Sequence, residues 1–392
     1  MKTDFTPNDG EVLESTSVAS TLEETDKKCP ACDGTMVFDP AIKALRCPYC
    51  DTTVDIEEDG TSERCEEQSF EEALERGSCD WGVVKKVVIC KNCAAETLYD
   101  ALETAGVCPY CGSNQVMEAN DEDTLAPGGI CPFAVDAKRA EENFRAWLKR
   151  RWFCPSRVKK DAGRVALYGI YLPYWTFDTQ TESNYTARYG IRHTRTVGSG
   201  KNRRTETYVR WYRTSGYHSE FFNDFLTKGT TRHSAALLSK IEPFDTESSV
   251  VYKPEYLSGF AAERYSVGLE DAWSSARNGI SGALNQSISS EIRRRHHADH
   301  VADLRVHTHY RDIAYKYLML PVWTSHFSYR NKAFHFMVNG QTGKVGGKTP
   351  LSPWRVLLAV LLGVGVATLI ALAVLAGEGN ASLTVGLSGG VL

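Results

Sequence analysis

Eight cysteines stand in four Cys-x-x-Cys pairs: Cys29/Cys32, Cys47/Cys50, Cys90/Cys93 and Cys108/Cys111. Two thiolates flanking two residues make a tight turn whose amides point at sulfur. Two such knuckles on facing hairpins put four thiolates at tetrahedral corners, with metal–sulfur bonds near about 2.3 Å. Fourteen residues separate the pairs in each set, and the second set repeats the first 61 residues later. The repeat extends beyond cysteine: Phe38-Asp39 corresponds to Tyr99-Asp100, and both second knuckles read Cys-Pro-Tyr-Cys. Pro30, Pro48 and Pro109 stiffen the knuckles, while Gly34 and Gly112 suit turn positions with positive φ. This spacing predicts two structural zinc ions, and favours them over a redox pair or disulfides. Iron in a rubredoxin-like set is chemically compatible with the same ligands. A closed four-thiolate site has no open coordination position, which argues against metal catalysis.

Other residues with chemical potential are less specific. His296, His297, His300, His307 and His309 cluster with Asp299 and Asp303, and His296 and His300 share a helix face if the helix runs that far. No third ligand falls at a motif spacing, so solvated histidines are the expected outcome. Gly343 to Thr349 (GKVGGKT) resembles a phosphate loop, but Thr342 stands where the first glycine belongs and no soluble helix follows. Cys65, Cys79, Cys131 and Cys154 are expected to be ordinary free thiols.

The elements that would carry these residues separate by charge. The formal net charge of −4 conceals −18 over residues 1–128 and +14 over residues 129–392. Residues 1–28 are polar, without an apolar run, and read as a disordered acidic leader. Residues 29–55 and 86–118 are the two ribbons, with an acidic, partly helical linker at 56–85. The acidic stretch 51–75 would repel phosphate, so the ribbons point to protein rather than nucleic acid.

Residues 129–349 read as an α+β cytoplasmic body. Ala140, Phe144, Trp147, Leu148 and Trp152 recur near helical spacing over 136–152. A longer helix is expected over 269–295, from Ala272, Ala276, Ile280, Leu284, Ile288 and Ile292, although Gly279 and Gly282 weaken the pattern. Residues 165–178 and 314–338 read as strands. They share an echo, Leu172-Pro173-Tyr174-Trp175-Thr176 and Leu320-Pro321-Val322-Trp323-Thr324, which suggests an internal β duplication. Residues 356–376 form an uncharged apolar run, long enough at about 1.5 Å per residue to cross a bilayer as one helix. Arg355, Lys348 and Lys344 precede it and Glu378 follows. The positive-inside rule then keeps the body cytoplasmic and the short tail 377–392 outside, as a single-pass protein of the cell membrane. Arg293-Arg294-Arg295 and the basic stretch 201–204 suit either anionic lipid or plain solvent.

The combination of Cys29–Pro40, the Phe-x-x-Trp-Leu-Lys-Arg-Arg-Trp-Phe segment (Phe144 to Phe153), YLPYWTFD, KPEYLSGFAAERY (Lys253 to Tyr265), LMLPVWTSHFSY and VNGQTGKV resembles a prokaryotic family. Its members are TFIIB-type zinc-ribbon membrane proteins, often labelled primosomal protein N′ (replication factor Y), superfamily II helicase. The helicase part of that label does not suit a chain without a phosphate loop or motor motifs. The resemblance implies a membrane-anchored adaptor in envelope stress or membrane maintenance, with phage-shock or SPFH-like membrane proteins as partners.

The expected function is therefore a non-enzymatic adaptor or scaffold at the cytoplasmic membrane face, with no small-molecule substrate. The alternative is a DNA-binding replication-restart factor that uses the basic body. A second alternative is an enzyme built on His296–His309, for which the sequence offers no nucleophile–base pair.

Overall fold

The computed structural model describes residues 28–56, 65–76, 85–90, 96–100, 116–118, 127–162, 167–198, 203–330 and 332–384. The leader before Lys28, most of the second ribbon and the end of the tail lie outside them.

Three short strands, β1 (Val37–Asp39), β2 (Ala44–Arg46) and β3 (Thr53–Val54), form a small antiparallel sheet. Then come β4 (Gln68–Ser69) and helix α1 (Phe70–Arg76), followed by β5 (Lys85–Cys90), β6 (Glu96–Asp100) and β7 (Val116–Glu118). The body opens with β8 (Gly129–Ile130), α2 (Ala137–Lys149) and α3 (Ser156–Ala162). Two long strands follow, β9 (Tyr168–Val197) and β10 (Arg204–Lys228). After α4 (Ala235–Leu238), β11 (Val250–Val251) and β12 (Ala261–Ala262) comes the long helix α5 (Leu269–His296). Strands β13 (His300–Tyr329), β14 (Lys332–Asn339) and β15 (Val345–Gly347) lead to helix α6 (Pro353–Thr384).

The body is mostly β, so the α+β expectation holds only in part. Strands β9 and β13 pair antiparallel along most of their length and form the centre of a curled sheet. The expected strand 165–178 covers only the start of β9, and the expected strand 314–338 spans the end of β13 and nearly all of β14. The distal half of β9 alternates Thr181, Ser183, Tyr185 and Ala187 on the buried face with Asn184, Thr186 and Arg188 on the exposed face. Its inward side chains are small or hydroxylated, so hydrophobic alternation does not announce it. Helix α5 covers that face with a stripe of one residue in four: Ala272, Ala276, Ile280, Leu284, Ile288 and Ile292, all fully buried. His297 closes α5 in the left-handed conformation, and the Ala298 N–H returns to the Arg293 carbonyl.

The same contacts occur twice. Leu172 pairs with Leu320, so the two Leu-Pro-x-Trp-Thr segments face each other across an approximate two-fold axis. Parallel pairing of β12 with β9 (Ala262↔Tyr171) matches that of β8 with β13 (Ile130↔Met319). The Trp175 indole N–H donates to the Val267 carbonyl at 2.9 Å, and Trp323 donates to Val135 at 2.8 Å. The Gly229 N–H donates to the Pro173 carbonyl at 3.0 Å, and Gly340 donates to Pro321 at 2.8 Å. Each half thus runs short strand, helix, long strand, returning strand. Helix length follows hairpin length: α5 lies along the long β9–β10 hairpin, and the shorter α2 accompanies the shorter β13–β14 hairpin.

Candidate metal centre

The first four cysteines converge at the end of the small sheet. Both knuckles fold the same way. The Cys29 N–H donates to the Gly34 carbonyl and the Asp33 N–H to that of Cys29, at 2.8 and 2.9 Å. Cys47 repeats this with Thr52 and Asp51 at 2.9 and 3.0 Å. Asp33 and Asp51 take positive φ, which aspartate tolerates better than most side chains. That Asp four residues after each leading cysteine is a signal the spacing argument did not use.

The four Sγ atoms lie within 4.8 Å of one another. Cys29 and Cys50 are 3.4 Å apart, and Cys32 and Cys47 are 3.5 Å apart. A tetrahedron with bonds of about 2.3 Å has sulfur separations near about 3.8 Å, so the donor set fits zinc. The protonation pattern also asks for a cation. Hydrogen bonds from the Thr52 hydroxyl and amide draw the Cys50 thiol down to about 6. At Cys32 the Gly34 amide also favours the thiolate, but the crowding of Cys50 and Cys47 outweighs it and holds that thiol at about 12. Four thiolates this close require a dication to ionise together. Cys29 and Cys47 are buried, while Cys32 and Cys50 face out. Tyr49, between the second pair, is 79% exposed. Its ring crosses the first knuckle: a Cβ at Gly34 would lie 2.7 Å from Tyr49 Cδ2.

The ribbon is docked on the body. Met36, Phe38, Leu45 and Ile56 belong to the same buried cluster as the central sheet. The Phe38 N–H donates to the Ser258 carbonyl at 3.1 Å. Gly259, at φ +82°, admits the Val37 side chain into space that a Cβ would fill. The Lys253–Tyr265 segment is therefore the ribbon's seat.

Of the second set, Cys90 ends β5, while Cys93, Cys108 and Cys111 lie outside the described residues. The backbone around it repeats the first ribbon. The Ile89↔Glu96 pair falls 61 residues after the Lys28↔Thr35 bridge. Strand β6 then joins the main sheet through Leu98↔Ala262.

The histidines disperse. His296 stacks on Tyr189, with ring centroids 4.1 Å apart, and meets the Thr214 hydroxyl at 3.2 Å. His300, His307 and His309 belong to β13. Among the described residues, the four-cysteine set is the one cluster close enough to hold an ion. The glycine-rich segment 343–349 enters β15, which pairs with β14 as a hairpin and opens no phosphate-binding helix.

Sequence reasoning missed a polar cleft of about 580 Å³ lined by Cys65, Glu67, Asp224, Thr246, Glu247 and Lys316, among others. Lys316 Nζ lies 2.8 Å from Asp224 and 3.3 Å from Glu67. Burial pulls the ammonium down, but Asp224 more than offsets this and its pKa stands above the ordinary value. Beneath it, burial raises the Asp178 carboxyl to about 6, although the Asp224 N–H donates to it at 2.7 Å. Burial lifts the Cys65 thiol to about 11 and raises Cys131 and Cys154 as well, so these thiols stay protonated near neutrality.

Helix α6 carries an apolar stretch, Pro353–Ala371, with mean hydropathy 2.2 and none of it buried. The helix continues to Thr384, past the end of the apolar run at Ala376. Among the described residues, one helix is thus long and apolar enough to cross a membrane.

No family model matches the chain. No solved structure matches it either. The chain is 29% identical over 337 residues to the uncharacterized protein YdjG of Bacillus subtilis (strain 168), covering 84% of this chain and 91% of that protein.

Proposed function

We propose that the chain is a membrane-anchored zinc-ribbon adaptor of the TFIIB-type zinc-ribbon family. Two structural zinc ions sit at Cys29, Cys32, Cys47, Cys50 and at Cys90, Cys93, Cys108, Cys111. Helix α6 crosses the cell membrane once, with the body cytoplasmic and the tail outside, as the flanking charges favour. The halves of the body descend from a duplication. The observation that carries the adaptor reading is Tyr49: a large aromatic, 79% exposed, fixed over a closed metal site. An exposed, rigidly placed Tyr is a common anchor of protein interfaces. The partner is a membrane-stress protein of phage-shock or SPFH type. Affinity capture of the full chain in mild detergent should recover it, with loss on Cys29→Ser or Tyr49→Ala. Recovery unchanged by both would count against the reading.

A second reading has its own support. The outer face of β9, β10 and β13 exposes Arg188, Arg213 and Arg305 beside Trp211, Tyr217 and Phe221. Cations interleaved with aromatics suit single-stranded nucleic acid. A steep fall in affinity with salt would favour it, and absence of binding at low salt would eliminate it.

A further inference from the structure

Trp152 and Phe153 form the turn after α2, and the other half of the body marks their exposure as out of pattern. Helix α2 buries Ala140, Phe144 and Leu148. Helix α5 buries Ala272, Ala276 and Ile280, each 132 residues later. The next position of the stripe in α5 is Leu284, fully buried. Its counterpart is Trp152, which is 66% exposed. Phe153 beside it is also exposed. Trp152 lies beyond the α2 C-cap at Arg150, so its ring has left the helix and, with Phe153, forms an exposed aromatic pair that marks a contact outside the chain.

The start of α6 holds this turn in place. The Arg355 guanidinium donates to the carbonyls of Trp152 and Cys154, each at 2.7 Å, and to the Ser156 hydroxyl. The Ser352 N–H donates to the Phe153 carbonyl at 2.8 Å. Trp354, in the first turn of α6, is 69% exposed, and Leu351 is exposed before it. The turn is therefore fixed at the level where the apolar helix begins. Lys149, Arg150, Arg151 and Lys160 are exposed around it.

We propose that Trp152, Phe153 and Trp354 form a collar seated in the headgroup layer of an anionic leaflet, with these cations on the lipid phosphates. The collar rests on the reading of α6 as a bilayer span. The indole N–H edges of Trp152 and Trp354 favour the membrane interface, and the apolar Phe153 ring adds buried area beside them. Each Lys or Arg near an anionic surface adds roughly fivefold to partitioning. The collar makes the body sit on the membrane in one orientation, where a lone helix would leave it swinging.

The test uses the full chain in nanodiscs of phosphatidylcholine, with or without phosphatidylglycerol. A nitroxide is placed singly at position 153, 357 or 217. The label at 357 reports the span, and the label at 217, on the outer sheet face, reports solvent. In the anionic discs the label at 153 should be shielded from an aqueous nickel reagent and accessible to oxygen, as at 357. The triple variant R150Q/R151Q/K160Q should lower the bound phosphatidylglycerol several-fold in native mass spectrometry. A label at 153 as open to nickel as the one at 217, with 357 shielded, overturns the collar and leaves the span standing. Equal seating in neutral and anionic discs, or phosphatidylglycerol retention unchanged by the triple variant, overturns the anionic specificity. A label at 357 open to nickel removes the span and the collar together.

Discussion

Phe38 of the first ribbon packs edge-on against Tyr256 of the body, with ring centroids 5.4 Å apart and planes inclined by 70°. A small zinc ribbon standing alone depends on its metal for folding. The first four-cysteine unit shares a hydrophobic cluster with the central sheet, so packing on the body would support it beside any ion it binds.

Zinc removal should therefore have a local effect. A chelator should raise amide exchange in residues 28–56 and 254–260, while the buried face of α5 keeps its protection. Cys29→Ser should lower the zinc content by one equivalent per chain. Acidification should release the same ion, because protons compete for all four thiolates. Global unfolding on chelation would show that the shared cluster contributes little.

Two glycines of α5 should respond with opposite signs. At Gly282 nothing lies within 4 Å of a Cβ, so Gly282→Ala should stabilise the protein by about 0.5–1 kcal/mol through helix propensity. At Gly279 a Cβ would stand 2.5 Å from Phe225 Cζ. Gly279→Ala should cost about 1–3 kcal/mol in overpacking, which outweighs the propensity gain. Denaturant unfolding of both variants in one detergent checks the pair.

Asp178 predicts a pH dependence. Its folded pKa, about 6, lies above the ordinary carboxyl value, so the folded state holds this proton more tightly than the unfolded state. The associated stability is fully present below about pH 4 and is lost as pH rises through about 6. Asp178→Asn should remove that slope and leave the protein more stable at pH 7 by about 1–3 kcal/mol. Unfolding midpoints of the variant and the parent across pH 4 to 7 measure it. A variant less stable than the parent at pH 7 would mean that the ionised carboxylate is needed by Lys316, 2.8 Å from the adjacent Asp224.

The four thiols were legible in the sequence because metal geometry fixes their spacing, and the helix 269–295 because its stripe repeats regularly. The Leu-Pro-x-Trp-Thr echo pointed to two like strands, and Leu172 opposite Leu320 shows how those strands meet. The cleft at Lys316 was not legible. Its groups come from positions as far apart as Cys65, Asp224 and Lys316, which only the tertiary fold brings together. The outer half of β9 was missed because its inward residues, such as Thr181 and Ser183, are not apolar. In β13 the inward set Leu304, Val306 and Tyr310 is apolar, but bulges at Asp303 and Asp312 interrupt the alternation. Trp152 reads in the sequence as one more core position of the α2 stripe. In the fold α2 ends at Lys149, so Trp152 falls in the exposed turn beyond it, whereas Leu284 stays inside α5 and is buried.

The central claim is that the ribbon face at Tyr49 receives a protein partner while α6 holds the chain in the membrane. A photo-crosslinking residue at position 49 of the full chain, activated in intact cells, tests this directly. The account predicts one discrete protein adduct in the membrane fraction, absent when the crosslinker sits at position 217 and lost with Cys29→Ser. No adduct at 49, or an identical adduct from position 217, would contradict it.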